Sequence, residues 1–146
     1  MQIAERTDLG RDLDHRLSAV WRHLVRHSTR EVSRTAVSVL ARLRDHGPQR
    51  VTALADAESV AQPTMTTLVG RLERDGHVSR AADPADGRAA LITLTGAGRD
   101  VLGRFGAQRA ALLTGPLDAL DADARAALAA ALPALDQLIE NLKEQQ

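Results

Sequence analysis

Apolar residues recur at three- and four-residue spacing from Leu9 to about His27, where Leu13, Leu17, Val20, Trp21 and Leu24 share one face and charged residues fill the other. This pattern predicts an amphipathic helix. After a polar break, Ser33 is placed to cap a second helix through Ala36, Val39, Leu40 and Leu43, which Gly47 and Pro48 stop. A very short strand is expected at Gln49 to Val51, then a short helix opening at Thr52 and a turn at Ser59 and Val60. Met65, Leu68, Val69 and Leu72 give one buried side to a helix that starts near Gln62, tolerates Pro63 in its first turn and ends at Asp75-Gly76. His77 to Ala81 and Ala89 to Leu94 alternate as strands around a turn over residues 83–88. Thr95 then caps a helix through Val101, Leu102, Phe105, Leu112 and Leu113, expected to break at Gly115-Pro116. Asp121 caps a last helix carrying Leu128, Leu132, Leu135, Leu138, Ile139 and Leu142, with a kink expected at Pro133.

Composition narrows the chemistry. The 146 residues are 44% hydrophobic and 26% charged, with 19 basic and 19 acidic side chains, so a soluble globular chain with a real core is expected. Trp21 and Phe105 are the only aromatics, which leaves Leu, Val and Ala to build the core and favours packed helices over a sandwich of strands. The absence of cysteine excludes disulfides, thiolate zinc sites and thiol nucleophiles. No stretch approaches the roughly 18 uninterrupted apolar residues of a membrane span, and the acidic, polar start does not read as a signal peptide, so a cytoplasmic location and no membrane partner are expected.

Helix, tiny strand, short helix, turn, longer helix and hairpin, in that order over residues 35–95, describe a winged helix-turn-helix. The second helix of such a turn pair enters the major groove of double-stranded DNA. The side of Gln62 to Arg74 away from Met65, Leu68 and Leu72 is therefore the candidate reading face: Gln62, Pro63, Thr64, Thr67 and Arg71, with Thr66 at its margin. A glutamine can pair with adenine through two hydrogen bonds, threonine offers a hydroxyl and a methyl, and Arg71, two turns in, is expected at a phosphate.

The segment VTALADAESVAQPTMTTLVGRLERDGHVSR followed by DPADGRAALITLTGAGR resembles the MarR family of bacterial transcriptional regulators, most specifically in Asp86-x-Arg88, the apolar strand, Leu94-Thr95 and Gly98-Arg99. The resemblance implies a mainly α fold with a small β-hairpin wing and a helical dimerisation layer. Its parts would be an N-terminal dimerisation helix and linker (1–34), a DNA-binding module (35–99) and C-terminal dimerisation helices (100–146). It further implies a homodimeric repressor on a pseudo-palindromic operator, released by a small organic effector. Arg88 would reach into the minor groove and Asp86 would hold the wing. Effectors in such proteins are expected between the dimerisation layer and the reading module, near Trp21 and Val39. Many members carry Ser or Thr just before the recognition helix and Arg at the position of Thr67; this chain has Ala61 and Thr67.

Plainer readings compete. Thr64, Thr66 and Thr67 would serve as an ordinary solvated face, Arg88 as a partner for Asp86, and Arg71 as a partner for Glu73 or Asp75. Residues 51–100 hold five arginines against seven acids, so no basic patch is visible along that stretch, and a winged-helix module that binds protein is the alternative function. The positive excess lies in residues 10–50, where Arg22, Arg26, Arg30 and Arg34 recur at four-residue spacing. His23, His27 and Glu31 have the spacing of metal ligands on one helix face, but the arginines around them disfavour a cation, and no metal or cofactor is expected. No nucleophile-base set, paired-carboxylate motif or phosphate loop suggests an enzyme.

Overall fold

The structure is a computed structural model that describes residues 2–28 and 32–145. The elements run α1 (Gln2–His27), α2 (Arg34–His46), β1 (Gln49–Arg50), α3 (Val51–Ala57), α4 (Gln62–Arg74), β2 (Val78–Asp83), β3 (Asp86–Leu94), α5 (Gly96–Asp118) and α6 (Ala122–Lys143). They divide into two compact units, residues 1–109 and 110–146.

Residues of α2, α3, α4, the sheet and the start of α5 build the core of the first unit. Val39, Leu40, Leu54, Met65, Val69 and Ile92 are wholly buried there, and Leu72 nearly so. Burying each such side chain is worth about 1.5–3 kcal/mol, so this cluster is what fixes α4 against α2 and α3. Apart from Leu54, these are apolar positions that the alternation of the sequence picks out. The three strands form an antiparallel sheet in the order β1-β3-β2, with Gln49 opposite Ile92 and Val78 opposite Leu94.

Local chemistry sets the ends of the elements. Ser33 Oγ accepts the Ala36 N–H at 3.2 Å and caps α2. The turn between α3 and α4 places Ser59 in the left-handed region at φ 52°, with the Val60 N–H on the Ala55 carbonyl and the Ser59 N–H on that of Asp56. Gly76, at φ 78°, ends α4 with the same pair of bonds, from His77 to Leu72 and from Gly76 to Glu73. Thr95 Oγ1 accepts the Gly98 N–H at 3.1 Å and donates to the Gly76 carbonyl at 2.6 Å, so one side chain caps α5 and ties it to the end of α4. At Gly98 the approach is so close that a β-carbon would lie 2.2 Å from the His77 carbonyl oxygen.

Three expectations need correction. Helix α1 starts at Gln2, ahead of the apolar periodicity that begins at Leu9, because good helix formers such as Ala4, Glu5 and Arg6 extend the backbone ladder. The wing turn is Pro84 and Ala85 alone, not residues 83–88. Asp83 Oδ1 accepts the Ala85 N–H at 2.9 Å, which closes the chain at once, and a register irregularity at Ala82/Asp83 absorbs the bend. Gly115-Pro116 does not break α5, which continues to Asp118. The proline falls in the last turn, where one lost bond matters least, and Arg125 supplies replacement donors to the carbonyls of Leu117, Asp118 and Leu120.

In the second unit, Asp121 Oδ1 caps α6 by accepting the Ala124 N–H at 2.7 Å, and the helical assignment runs unbroken through Pro133. No described residue of α6 is buried, although Leu128, Leu132, Leu138, Ile139 and Leu142 lie along it.

Candidate nucleic-acid interface

The buried side of α4, made by Met65, Val69 and Leu72, leaves Gln62, Pro63, Thr64, Thr66, Thr67 and Arg71 exposed. All six residues proposed from the sequence thus reach solvent on one helix. Thr67 Oγ1 donates to the Pro63 carbonyl at 3.0 Å, so the hydroxyl of this exposed side chain retains only acceptor capacity. Gly70 also lies on the exposed side, with open space where a β-carbon would be.

Each flank of α4 borders a cleft. One, of about 340 Å³, is lined by Ser33 and Thr35 at the start of α2 and by Thr64, Thr67 and Arg71. The other, of about 250 Å³, brings Gln62 together with Arg50, Thr52 and Arg80. Arg50, Thr52 and Arg80 border the candidate reading face, and sequence reasoning missed them because the pairing of β1 and β2 with β3, not chain proximity, brings Arg50 and Arg80 to it.

The carboxylates near the candidate arginines have other partners. Glu73 is taken by Arg80 at 3.3 Å and Asp75 lies 3.9 Å from Arg74, and Arg71 pairs with neither. At the wing tip, Asp86 Oδ1 accepts the backbone N–H of Arg88 at 3.1 Å, and no ion pair among the described residues holds the Arg88 guanidinium. Asp86 therefore shapes the tip through the backbone while an exposed cation projects from it. Two long cations without carboxylate partners, on a helix face and a neighbouring hairpin, suit phosphates and a narrow groove.

The wing has a second carboxylate that the sequence did not single out. Asp83 is buried and accepts from Arg50 Nε at 2.7 Å. The Ala85 N–H, and then Arg50, hold its carboxyl below the usual carboxylate range.

A further cavity of about 490 Å³ is lined by residues of α1, α2 and α5, among them Trp21, Val25, Val37 and Leu102. Trp21 stands where the sequence expectation put an effector. Val39 does not: it points into the core, wholly buried, because the cavity lies along the Val37-Ser38-Ala41 side of α2. His23 and His27 stack with ring centroids 4.2 Å apart, and the His23 carbonyl lies 2.8 Å from His27 Nδ1. Glu31 and Arg30 fall outside the described residues. Among the described residues, no group of three His, Cys, Asp or Glu side chains is placed to hold a metal ion, and no helix is long and apolar enough to cross a membrane.

A three-stranded wing beside a helix-turn-helix whose second helix is open to solvent defines the chain as a winged helix-turn-helix protein. Residues 32–90 match the MarR family. An HTH-type transcriptional regulator of Mycobacterium leprae is 31% identical over 109 residues, 75% of this chain and 76% of that protein. The chain belongs to the MarR family of transcriptional regulators. The crystal structure of a transcriptional regulator from Thermotoga maritima covers 100% of both chains at 26% identity with a TM-score of 0.72. The PcaV transcriptional regulator from Streptomyces coelicolor, solved in complex with its natural ligand, matches 88% of this chain and 89% of its own at 25% identity and a TM-score of 0.54. Matches to three further curated regulators are shorter and span 24% to 54% of those proteins' length.

Proposed function

We propose that the protein is a cytoplasmic, homodimeric repressor that reads a pseudo-palindromic operator in double-stranded DNA and releases it on binding a small organic effector. The observation that carries the DNA reading is the joint exposure of the α4 face and of Arg88, neither Arg71 nor Arg88 being engaged by a carboxylate among the described residues. Gln62, Thr64, Thr66 and Thr67 read base edges, Pro63 sets the entry of α4, Arg71 meets a phosphate, and Arg88, on a tip shaped by Asp86, enters the minor groove.

Residues 35–99 form the reading module, and residues 1–34 and 100–146 the dimerisation layer. Support for the dimer comes from large apolar side chains left in water: Leu17, Val20 and Trp21 on α1, and Leu128, Leu132 and Ile139 on α6, all roughly half exposed. Such stripes on a soluble chain mark an interaction surface. Family membership, the ligand-bound PcaV relative and the cavity beside Trp21 support an effector.

A gel shift with the DNA flanking the protein's own gene, paired with light scattering, tests this reading. A dimer that shifts that DNA against a large excess of unrelated duplex is the expected outcome. A monomer, or binding indifferent to sequence, contradicts it and favours a protein-binding winged helix.

A further inference from the structure

Thr67 and Gly70 stand at the middle of the α4 face that the proposed function turns to DNA. Met65, Val69 and Leu72 are buried, and the positions farthest from them around the helix are Pro63, Thr67, Gly70 and Arg74, all exposed. Gln62 to Gly70 contains no arginine or lysine, so the first two turns of α4 bring no cation to a base edge. The polarity of the Thr67 hydroxyl is already set: its proton goes to the Pro63 carbonyl at 3.0 Å, so Oγ1 can only accept from a base. Gly70 supplies an independent observation. Glycine inside a helix is destabilising relative to alanine, and the fold does not ask for it here, because a β-carbon would meet nothing within 4 Å. A bare position on an exposed helix face suits the close approach of an outside group.

Guanine presents two acceptors, O6 and N7, to the major groove, and an acceptor-only oxygen opposite them is repelled. Adenine N6 and cytosine N4 are donors and satisfy it. The opposite base decides between these two: thymine, paired with adenine, carries a 5-methyl group, whereas guanine, paired with cytosine, offers acceptors. Pro63, Thr67 and the open space at Gly70 fit a methyl group and supply no side-chain donor for guanine. We propose that Thr67 and Gly70 select one A·T pair in each half-site, adenine N6 donating to Thr67 Oγ1 while the thymine methyl group sits in the space at Gly70. This assignment rests on the DNA-reading function above and names the base pair that this part of the face reads.

The test selects binding duplexes from a random pool with the full chain and measures affinity for the selected duplex by fluorescence anisotropy. Each thymine is then replaced in turn by deoxyuridine in both half-sites, which removes the methyl group alone. One position is expected to lose about fourfold per half-site, the worth of one buried methyl group. At that base pair, G·C in place of A·T is expected to cost the unmodified chain at least about tenfold, since the hydrogen bond is lost with the methyl contact. Thr67→Val, which keeps the shape and removes the acceptor, should bind the selected duplex about three- to tenfold more weakly and discriminate less against G·C. Gly70→Ala should melt higher yet lose affinity, and should no longer distinguish thymine from deoxyuridine at that position. Melting curves confirm that both variants are folded, and the deoxyuridine series tests the proposal on the unmodified chain. Selected half-sites with no methyl-sensitive thymine, or unchanged affinity and preference in either variant, overturn the assignment and leave DNA reading standing. A pool from which no sequence is preferred contradicts the DNA-reading function itself, and the assignment with it.

Discussion

The Arg50 guanidinium, at the end of β1, donates to Asp83 at the turn of the wing, 33 positions later in the chain, over 2.7 Å from Nε to Oδ2. The same carboxylate receives the Ala85 N–H through its other oxygen at 2.9 Å. One side chain thus closes the two-residue turn and fastens the hairpin to the strand that precedes the helix-turn-helix, so the angle at which Arg88 leaves the body is set from a distance.

This clasp has a definite pH dependence. The Asp83 carboxyl is held below the usual carboxylate range by the Ala85 N–H and by Arg50. Its contribution to stability is therefore complete above the unfolded value of about 3.9 and is lost as pH falls through the lowered folded value. Thermal melts of the unmodified chain and of Asp83→Asn should differ by a constant amount from neutral pH down to about pH 5, and the difference should shrink in stronger acid. Arg50→Ala should loosen the wing and weaken DNA binding with helicity intact, and Arg50→Lys should restore only part, because a lysine cannot reproduce the fork.

Two glycines should respond in opposite directions. A β-carbon at Gly98 would meet the His77 carbonyl and the Leu94 side chain, so Gly98→Ala should destabilise by about 1–3 kcal/mol. At Gly70, inside α4, the space is open, and Gly70→Ala should stabilise by up to about 1 kcal/mol through helix propensity alone. Denaturant midpoints of the two variants decide both.

Arg88→Ala should reduce the slope of log affinity against log salt by about one, with the largest loss on operators with A·T-rich flanks and no change in melting temperature. Gln62→Ala should instead relax preference at one base position, worth about 1–3 kcal/mol of discrimination. Titrations of both variants at several salt concentrations separate the roles, and an unchanged slope for Arg88→Ala would remove it from the interface.

The sequence discloses what is periodic or local and conceals what is tertiary. Val39, Leu40, Met65, Val69 and Leu72 sit at helical spacing, and their burial follows the pattern. Ser33, Thr95 and Asp121 cap the helices they were expected to cap, since capping is a contact within three residues. The Arg50-Asp83 clasp and the contact of Trp21 with Arg109, whose guanidinium carbon lies 5.0 Å from the ring centre, join distant positions through folding, and no spacing rule announces them. Val39 was expected at an effector site and lies in the core because periodicity identifies a helix's apolar side but not which edge of it borders a cavity.

The central claim is that two copies of α4 and its wing read two half-sites on one face of the duplex. Half-sites bound in this way lie about one helical turn apart, roughly 10 base pairs. The most direct measurement is the affinity for the operator before and after insertion of about 5 base pairs, half a turn, between its halves. The account predicts that this insertion abolishes dimer binding, and that insertion of a full turn weakens it less. Equal affinity for the native and half-turn operators would contradict it.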